Sequence, residues 1–378
     1  MALAENIQRA RWGLELARLE ETEQITSAVQ ESQIVGLLGE GEVGKTETIR
    51  QALGRSTPEM PILEVDLDGA ASDAHVAFLI ARQIASALLG EAEFSVLKVG
   101  VLVPASIESR RAELAQLLNL DGLDEALRDW PSGNYGLPSA LAALERLAYE
   151  RDTILWVDHI EAPDLTPRHP LDLGGLFWGL RAIAQRIGTF SLVLSGRIGG
   201  EAKALGHAAA FHQQGRWLTL DNPPPEVWRQ VARGLKIRAE VATELSELIS
   251  GHPETMLLAL LEMTPDKPKQ SPEAVVRQLA SAAGALSARA MQHARTLHRL
   301  GGQVLVQVAF GAQVYGAPQR GSSPQQEITK VLGRLRQAGL VRRDDGGWSP
   351  VNPLIGMALR GELRGAPAPD RESAESTP

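Results

Sequence analysis

Apolar and polar positions alternate along this chain first as a sparse helical stripe, then as short apolar runs separated by longer amphipathic ones. Residues 1–32 place Trp12, Leu16, Leu19, Ile25 and Val29 at helical spacing on one side of a polar segment. Five short runs with strand character follow: Ile34–Leu38, Ile62–Leu67, Thr153–Val157, Ser191–Leu194 and Trp217–Leu220. Helical patterns fill 45–53, 74–89, 139–150 and 173–187 between them. Mostly apolar strands joined by helices need cover on both faces, which predicts an α/β chain built on a parallel sheet. Region 91–137 keeps neither period, holds Pro104, Pro131 and Gly133, and is longer than a crossover needs. It reads as an insertion with contacts of its own.

After the fifth run the pattern changes. Asn222-Pro-Pro-Pro225 can continue neither a helix nor an inner strand, so it marks a domain boundary. Short helical patterns then run over 226–263, broken by Gly251-His252-Pro253, and Pro265–Pro272 reads as a second linker. In Pro324–Gly339, Ile328, Val331, Leu332 and Leu335 fall on one helical face, and Gln326, Lys330 and Arg334 on the opposite one. Gly339 suits a C-cap. Leu340–Arg343, Asp344–Gly347 and Trp348–Val351 then read as strand, tight turn and strand. The expected division is an N-terminal helical segment 1–32, an α/β core 33–221, a helical lid 222–285, a three-helix-plus-hairpin unit 286–364, and a polar tail 365–378 of disordered composition.

The candidate chemistry sits where the first strand ends. Gly39-Glu40-Gly41-Glu42-Val43-Gly44-Lys45-Thr46 is G-x-x-x-x-G-K-T, and the helical pattern 45–53, with Glu47 near its start, continues directly from it. That context is what a phosphate-binding loop requires. Its glycines let successive N–H groups face phosphate oxygens, and the helix N-terminus lies under the anion. Lys45 would meet the β- and γ-phosphates of ATP, and the Thr46 hydroxyl would ligate Mg²⁺. Asp158, closing Thr153–Val157, is the expected acidic partner of the Mg²⁺ shell, and Glu161 is the candidate general base for hydrolysis. Ser195 and Arg197 end the next strand, where either could sense the terminal phosphate or simply close the strand. No N-K-x-D base-reading motif follows the loop, which argues against a GTPase.

Composition adds limits. The chain has 378 residues, 44% apolar and 22% charged, and no cysteine, so disulfides, thiolate metal sites and cysteine nucleophiles are excluded. No apolar run approaches membrane-spanning length, and a cytoplasmic protein is the simplest expectation. The net charge of −8 argues against indiscriminate nucleic-acid binding, yet residues 285–365 hold 11 Lys/Arg against 4 Asp/Glu. A basic C-terminal unit is thus attached to an acidic body.

Taken together, Arg18-Leu-Glu-Glu21, the G-x-x-x-x-G-K-T loop, Asp158, Ser195-Gly196-Arg197 and Gly251-His252-Pro253 resemble the AAA+ and STAND branch of P-loop ATPases. The likeness is to archaeal-type and replication-initiator-like ATPases with a C-terminal winged helix, and it spans roughly 15–363. It implies a P-loop NTPase sheet with helices on both faces, followed by a small helical lid and a winged helix. It also implies ATP hydrolysis, slow or partner-stimulated, because His159 stands where most AAA+ proteins carry the catalytic glutamate. Pro253 would lie near the nucleotide base, and Arg181, Arg186 or Arg197 could act as an arginine finger in a nucleotide-dependent homo-oligomer. Gln326, Lys330, Arg334, Arg342 and Arg343 would face duplex DNA, giving an ATP-driven switch for replication, transposition or mobile-element defence. The alternative is a STAND-type signalling scaffold that oligomerises on a protein partner without touching DNA.

Overall fold

A computed structural model describes residues 18–31, 34–56, 60–68, 70, 72–89, 136–161, 173–198, 205, 209–311, 324–344 and 347–364. The expected tail 365–378, nearly all of the insertion 91–137 and the tip of the Asp344–Gly347 turn lie outside these residues. Contacts divide the chain into two units. The first takes in residues 18–39 and 44–220, and the second takes in 221–378 with the four loop residues 40–43.

The first unit is built on β1 (Ile34–Gly39), β2 (Ile62–Asp66), β3 (Thr153–Asp158), β4 (Phe190–Arg197) and β5 (Arg216–Leu220). Every pairing is parallel, in the order β2-β3-β4-β1-β5. Helices α1 (Leu19–Gln30), α2 (Lys45–Ser56), α3 (Asp73–Leu89), α4 (Leu137–Glu150) and α5 (Leu173–Arg186) complete it. Strands β1 and β3 are buried along their whole length, as their unbroken apolar runs require. The α1 helix buries Ile25, Ala28 and Val29 on one face and carries Glu20 and Glu21 in its first turn, where negative charge suits the helix dipole. Gly36 is there for space: a Cβ at that position would run into the Trp217 indole of β5.

Register fixes the functional edge. Gly39 pairs with Arg197, Leu37 with Ser195, and Asp66 with Asp158, so the C-terminal ends of β1, β4, β3 and β2 lie side by side. In open parallel sheets that edge is where ligands bind.

The second unit contains α6 (Pro225–Gly234), α7 (Ala239–Ile249), α8 (Pro253–Glu262) and α9 (Pro272–Ala282). Then come α10 (Gly284–Leu297), α11 (Gly301–Ala309), α12 (Pro324–Gln337), β6 (Val341–Asp344), β7 (Gly347–Pro350) and α13 (Pro353–Arg364). Antiparallel β6 and β7 follow three helices, which is a winged helix. Apolar contacts continue across the expected boundary near 285. Helix α9 has two apolar faces: Val275 and Val276 join the lid core around Trp228, Leu245 and Met256, while Ala280 packs with Ala283, Leu354 and Ala358. On α12, Val331, Leu332 and Leu335 are buried as their spacing predicts, and Ile328 is half-buried.

Candidate nucleotide site

The loop after β1 has the backbone its sequence calls for. Gly44 sits at φ 99° and Glu42 at φ 61°, both left-handed, and α2 starts at Lys45. A non-glycine residue in that region is strained, so Glu42 is held there by its surroundings. Lys45 Nζ donates to the Gly39 carbonyl at 3.0 Å, bringing the ammonium back over the loop that would cradle phosphates. Glu40 and Gly41 are half-buried, Val43 is buried at the loop's inner side, and Glu47 is exposed in the first turn of α2. Thr48 Oγ1 donates to the Gly44 carbonyl at 3.0 Å and pins the start of that helix.

Thr46 and Asp158, 112 residues apart in sequence, meet here: the Thr46 hydroxyl donates to Asp158 Oδ2 at 3.3 Å. A hydroxyl and a carboxylate are the hard oxygen donors that Mg²⁺ takes beside water and phosphate. These residues therefore fit the expected cation. Among the described residues there is no group of three or more His, Cys, Asp or Glu that could hold a metal by itself.

Asp158 is positioned by a buried relay. Ser195 Oγ donates to Asp158 Oδ1 at 2.6 Å and accepts from Trp156 Nε1 at 2.7 Å. The His159 N–H adds a bond to the same Oδ1 at 2.9 Å. Ser195 is fully enclosed, so its hydroxyl orients Asp158 rather than reaching toward a phosphate. Glu161, 1% exposed, accepts the Arg197 N–H on Oε2 at 3.0 Å and pairs through Oε1 with Arg197 Nε at 3.5 Å. In this conformation Glu161 clamps the end of β4, and Arg197 is the partially exposed member of the pair. Gly196 is small because a Cβ there would press on Ile160 and the Glu161 carboxylate. Of the other arginine-finger candidates, Arg181 donates to the Ala210 carbonyl at 2.7 Å and Arg186 pairs with Glu145 at 2.9 Å.

One pair escaped the sequence reading. Asp66, which ends β2 beside Asp158, bonds His159 Nδ1 at 2.8 Å, with His159 at φ 55°. The signal was present, an apolar run closed by an aspartate as in β3, but only strand order makes the two aspartates neighbours. The bond to Asp66 raises the His159 pKa above 6.5, against burial and with help from Asp158 and Glu161. Burial raises the Asp66 pKa, but the bond from His159, the Asp68 N–H and the His159 charge together outweigh it, leaving it below 3.8. The histidine's share of stability is therefore complete below pH 6.5 and is lost as pH rises through its raised pKa. The aspartate's share is present above 3.8 and is lost as pH falls through its lowered pKa. Both side chains are partly exposed, so solvent screens the pair. In Asp66→Asn the His159 imidazole should titrate lower than in the parent, as followed by its NMR shifts. An unmoved midpoint would refute the coupling.

In the second unit, Pro253 is buried at the first position of α8, after Ser250 (φ 54°) and Gly251 (φ 64°) reverse the chain. The proline run is fastened to this turn: Asn222 Nδ2 donates to the Ser250 carbonyl at 3.0 Å, and Trp228 Nε1 to the Pro223 carbonyl at 3.1 Å. The five expected DNA-facing residues divide. Gln326, Lys330, Arg334 and Arg343 are exposed, and Arg342 is half-buried. Arg334 also caps α10 by donating to the Leu297 carbonyl at 2.9 Å, and Arg342 bonds Ser349 across the hairpin at 3.3 Å. Glu327, beside Gln326, pairs with Arg299 at 2.8 Å.

Neither a protein-family model nor a curated protein matches the sequence. Solved structures do. A Walker-type ATPase of Pyrococcus abyssi superposes with a TM-score of 0.61 at 14% identity, over 91% of this chain and 95% of its own. The chain has the P-loop NTPase fold. Two further structures align over similar lengths. They are the ORC1 protein of Aeropyrum pernix, solved with DNA (13% identity, 92% of each chain, TM-score 0.45), and Cdc6p of Pyrobaculum aerophilum (12%, 92% of this chain and 95% of that one, TM-score 0.40). Those two overlaps are too loose to carry an argument. Among the described residues of this P-loop protein, no helix is long and apolar enough to cross a membrane.

Proposed function

We propose that the chain binds and hydrolyses ATP and uses the nucleotide state as a switch for a DNA transaction. The observation that carries the nucleotide reading is the meeting of Thr46 and Asp158 at 3.3 Å beside Lys45 on a glycine loop at the carboxyl edge of a parallel sheet. Loop N–H groups and Lys45 would take the phosphates, with Thr46 and Asp158 holding Mg²⁺. The cation would neutralise charge on the phosphates. Ser195 and Trp156 keep Asp158 oriented without themselves meeting substrate.

For water activation, the open His159–Asp66 pair is better placed than Glu161, whose carboxylate is enclosed and committed to Arg197. Single-turnover assays separate the two. On this reading Asp66→Asn slows hydrolysis more than Glu161→Gln, with ATP affinity kept in both. The reverse order would return the role to Glu161.

The DNA output rests on the basic charge of 285–365 and on the exposed Gln326, Lys330 and Arg343. Neutralising about five phosphates would give a log–log salt slope of roughly −4 to −5, and removing Lys330 would flatten it by about one. The internal bonds of Arg334 and Arg342 favour a second reading, a scaffold that assembles on a protein partner. ATPase rate with and without duplex DNA, beside mass measurement in ATP and in ADP, decides between them. A DNA-independent rate without salt-dependent DNA binding would leave only the scaffold.

A further inference from the structure

Glu42 stands in the phosphate-binding loop, yet its carboxylate is engaged elsewhere in the second unit. Its Oε2 accepts from Asn352 Nδ2 at 3.0 Å and lies 3.3 Å from His252 Nε2, an ion-pair contact off hydrogen-bond alignment. Both partners are buried and both precede a helix. His252 is the N-cap of α8, with its Nδ1 facing the Thr255 N–H and hydroxyl. Asn352 precedes α13 and accepts the Leu354 N–H on Oδ1 at 3.0 Å. Each helix opens with a proline, Pro253 and Pro353. Two helix N-termini, 100 residues apart in sequence, thus converge on one carboxylate, where their dipoles favour negative charge. Glu42 holds its left-handed φ of 61° in this arrangement.

A carboxylate is a poor neighbour for a loop that must take up a triphosphate, because like charges repel. Tied to His252 and Asn352, that charge is compensated. Freed, it stands uncompensated three residues before Lys45. The pKa directions agree: His252 leads in lowering that of Glu42, while burial and then Glu42 raise that of nearby Glu254.

We propose that Glu42 is a latch that ties the tip of the phosphate-binding loop to the starts of α8 and α13, coupling nucleotide affinity to the attachment of the winged helix's last helix. The latched loop binds nucleotide more tightly, and by linkage nucleotide strengthens the latch. This deepens the switch proposed above and rests on it.

Asn352→Asp tests it with the helix cap kept, since aspartate caps as well as asparagine and retains the acceptor for the Leu354 N–H. What it removes is the donor to Glu42, setting a carboxylate there instead. In the full chain without nucleotide, hydrogen exchange over residues 354–358 should rise in Asn352→Asp. It should return toward the parent in Glu42→Gln/Asn352→Asp, where the amide introduced at position 42 can donate to the new carboxylate. Calorimetry should show ATP binding weakened about tenfold by Asn352→Asp, within the usual range of allosteric coupling. In the Glu42→Ala background the same substitution should leave ATP affinity unchanged. Glu42→Ala alone should raise exchange at the start of α13, and its half-exposed site makes it the safer variant to fold. Unaltered exchange in Asn352→Asp and Glu42→Ala, or an equal loss of ATP affinity with and without Glu42, overturns the latch. A parent chain that binds no nucleotide removes the affinity coupling together with the proposed function, and the exchange arm then still decides whether the latch exists.

Discussion

Lys45→Ala should abolish the stabilisation of this protein by ATP. At ATP about a thousandfold above its dissociation constant, the parent chain should gain about 4 kcal/mol through binding to the folded state alone. Differential scanning calorimetry should show that gain in the transition containing the parallel sheet, because a chain with two units need not unfold in one step. Lys45 is not among the residues of the hydrophobic core. It is half-buried, and its ammonium donates to the Gly39 carbonyl. The variant should therefore melt close to the parent without ATP and fail to move with it. A full ATP-dependent shift in Lys45→Ala would remove the loop at 39–46 as the nucleotide site.

The second large effect concerns Ser195, which loses both structure and cation binding when replaced by alanine. The hydroxyl is fully buried between Trp156 Nε1 and Asp158 Oδ1. Its removal leaves the indole N–H without an acceptor and takes one donor from a buried carboxylate, at a combined cost of about 2–4 kcal/mol. Because Asp158 also loses its orientation toward Thr46, the Mg²⁺-dependent part of ATP affinity should fall about 10- to 100-fold. ATP titrations in Mg²⁺ and in EDTA isolate that part. Equal Mg²⁺ enhancement in parent and Ser195→Ala would mean that the relay supports the strands but not the site.

The pattern of residues carried the fold a long way. Five apolar runs appeared as strands within a few residues of their expected limits, since a strand buried on both faces has little freedom in composition. The turn of the glycine loop was legible because G-x-x-x-x-G-K-T has fixed residue types at fixed spacing, and Asp158 because an apolar strand closed by an acid is a local event. Roles that depend on which atom meets which were not legible. Ser195 could sense a phosphate or simply close its strand, and only the fold shows its hydroxyl bonded to Trp156 and Asp158. Glu161 had the spacing of a catalytic base, but the fold encloses it and gives it Arg197. Lid and winged helix read as two domains meeting near 285. Helix α9 packs against apolar residues from both stretches.

Sequence alone determined the element order, the phosphate loop and the basic C-terminal unit, because periodicity, glycine spacing and charge are properties of neighbours along the chain. Tertiary structure alone decided that Asp66 stands beside Asp158, that Ser195 orients it, and that Glu42 meets His252 and Asn352. The physical reason is the reach of the forces involved. Hydrophobic burial and turn geometry act on short segments and leave a mark in their composition, whereas a hydrogen bond between residues 42 and 352 leaves none until the chain between them has folded.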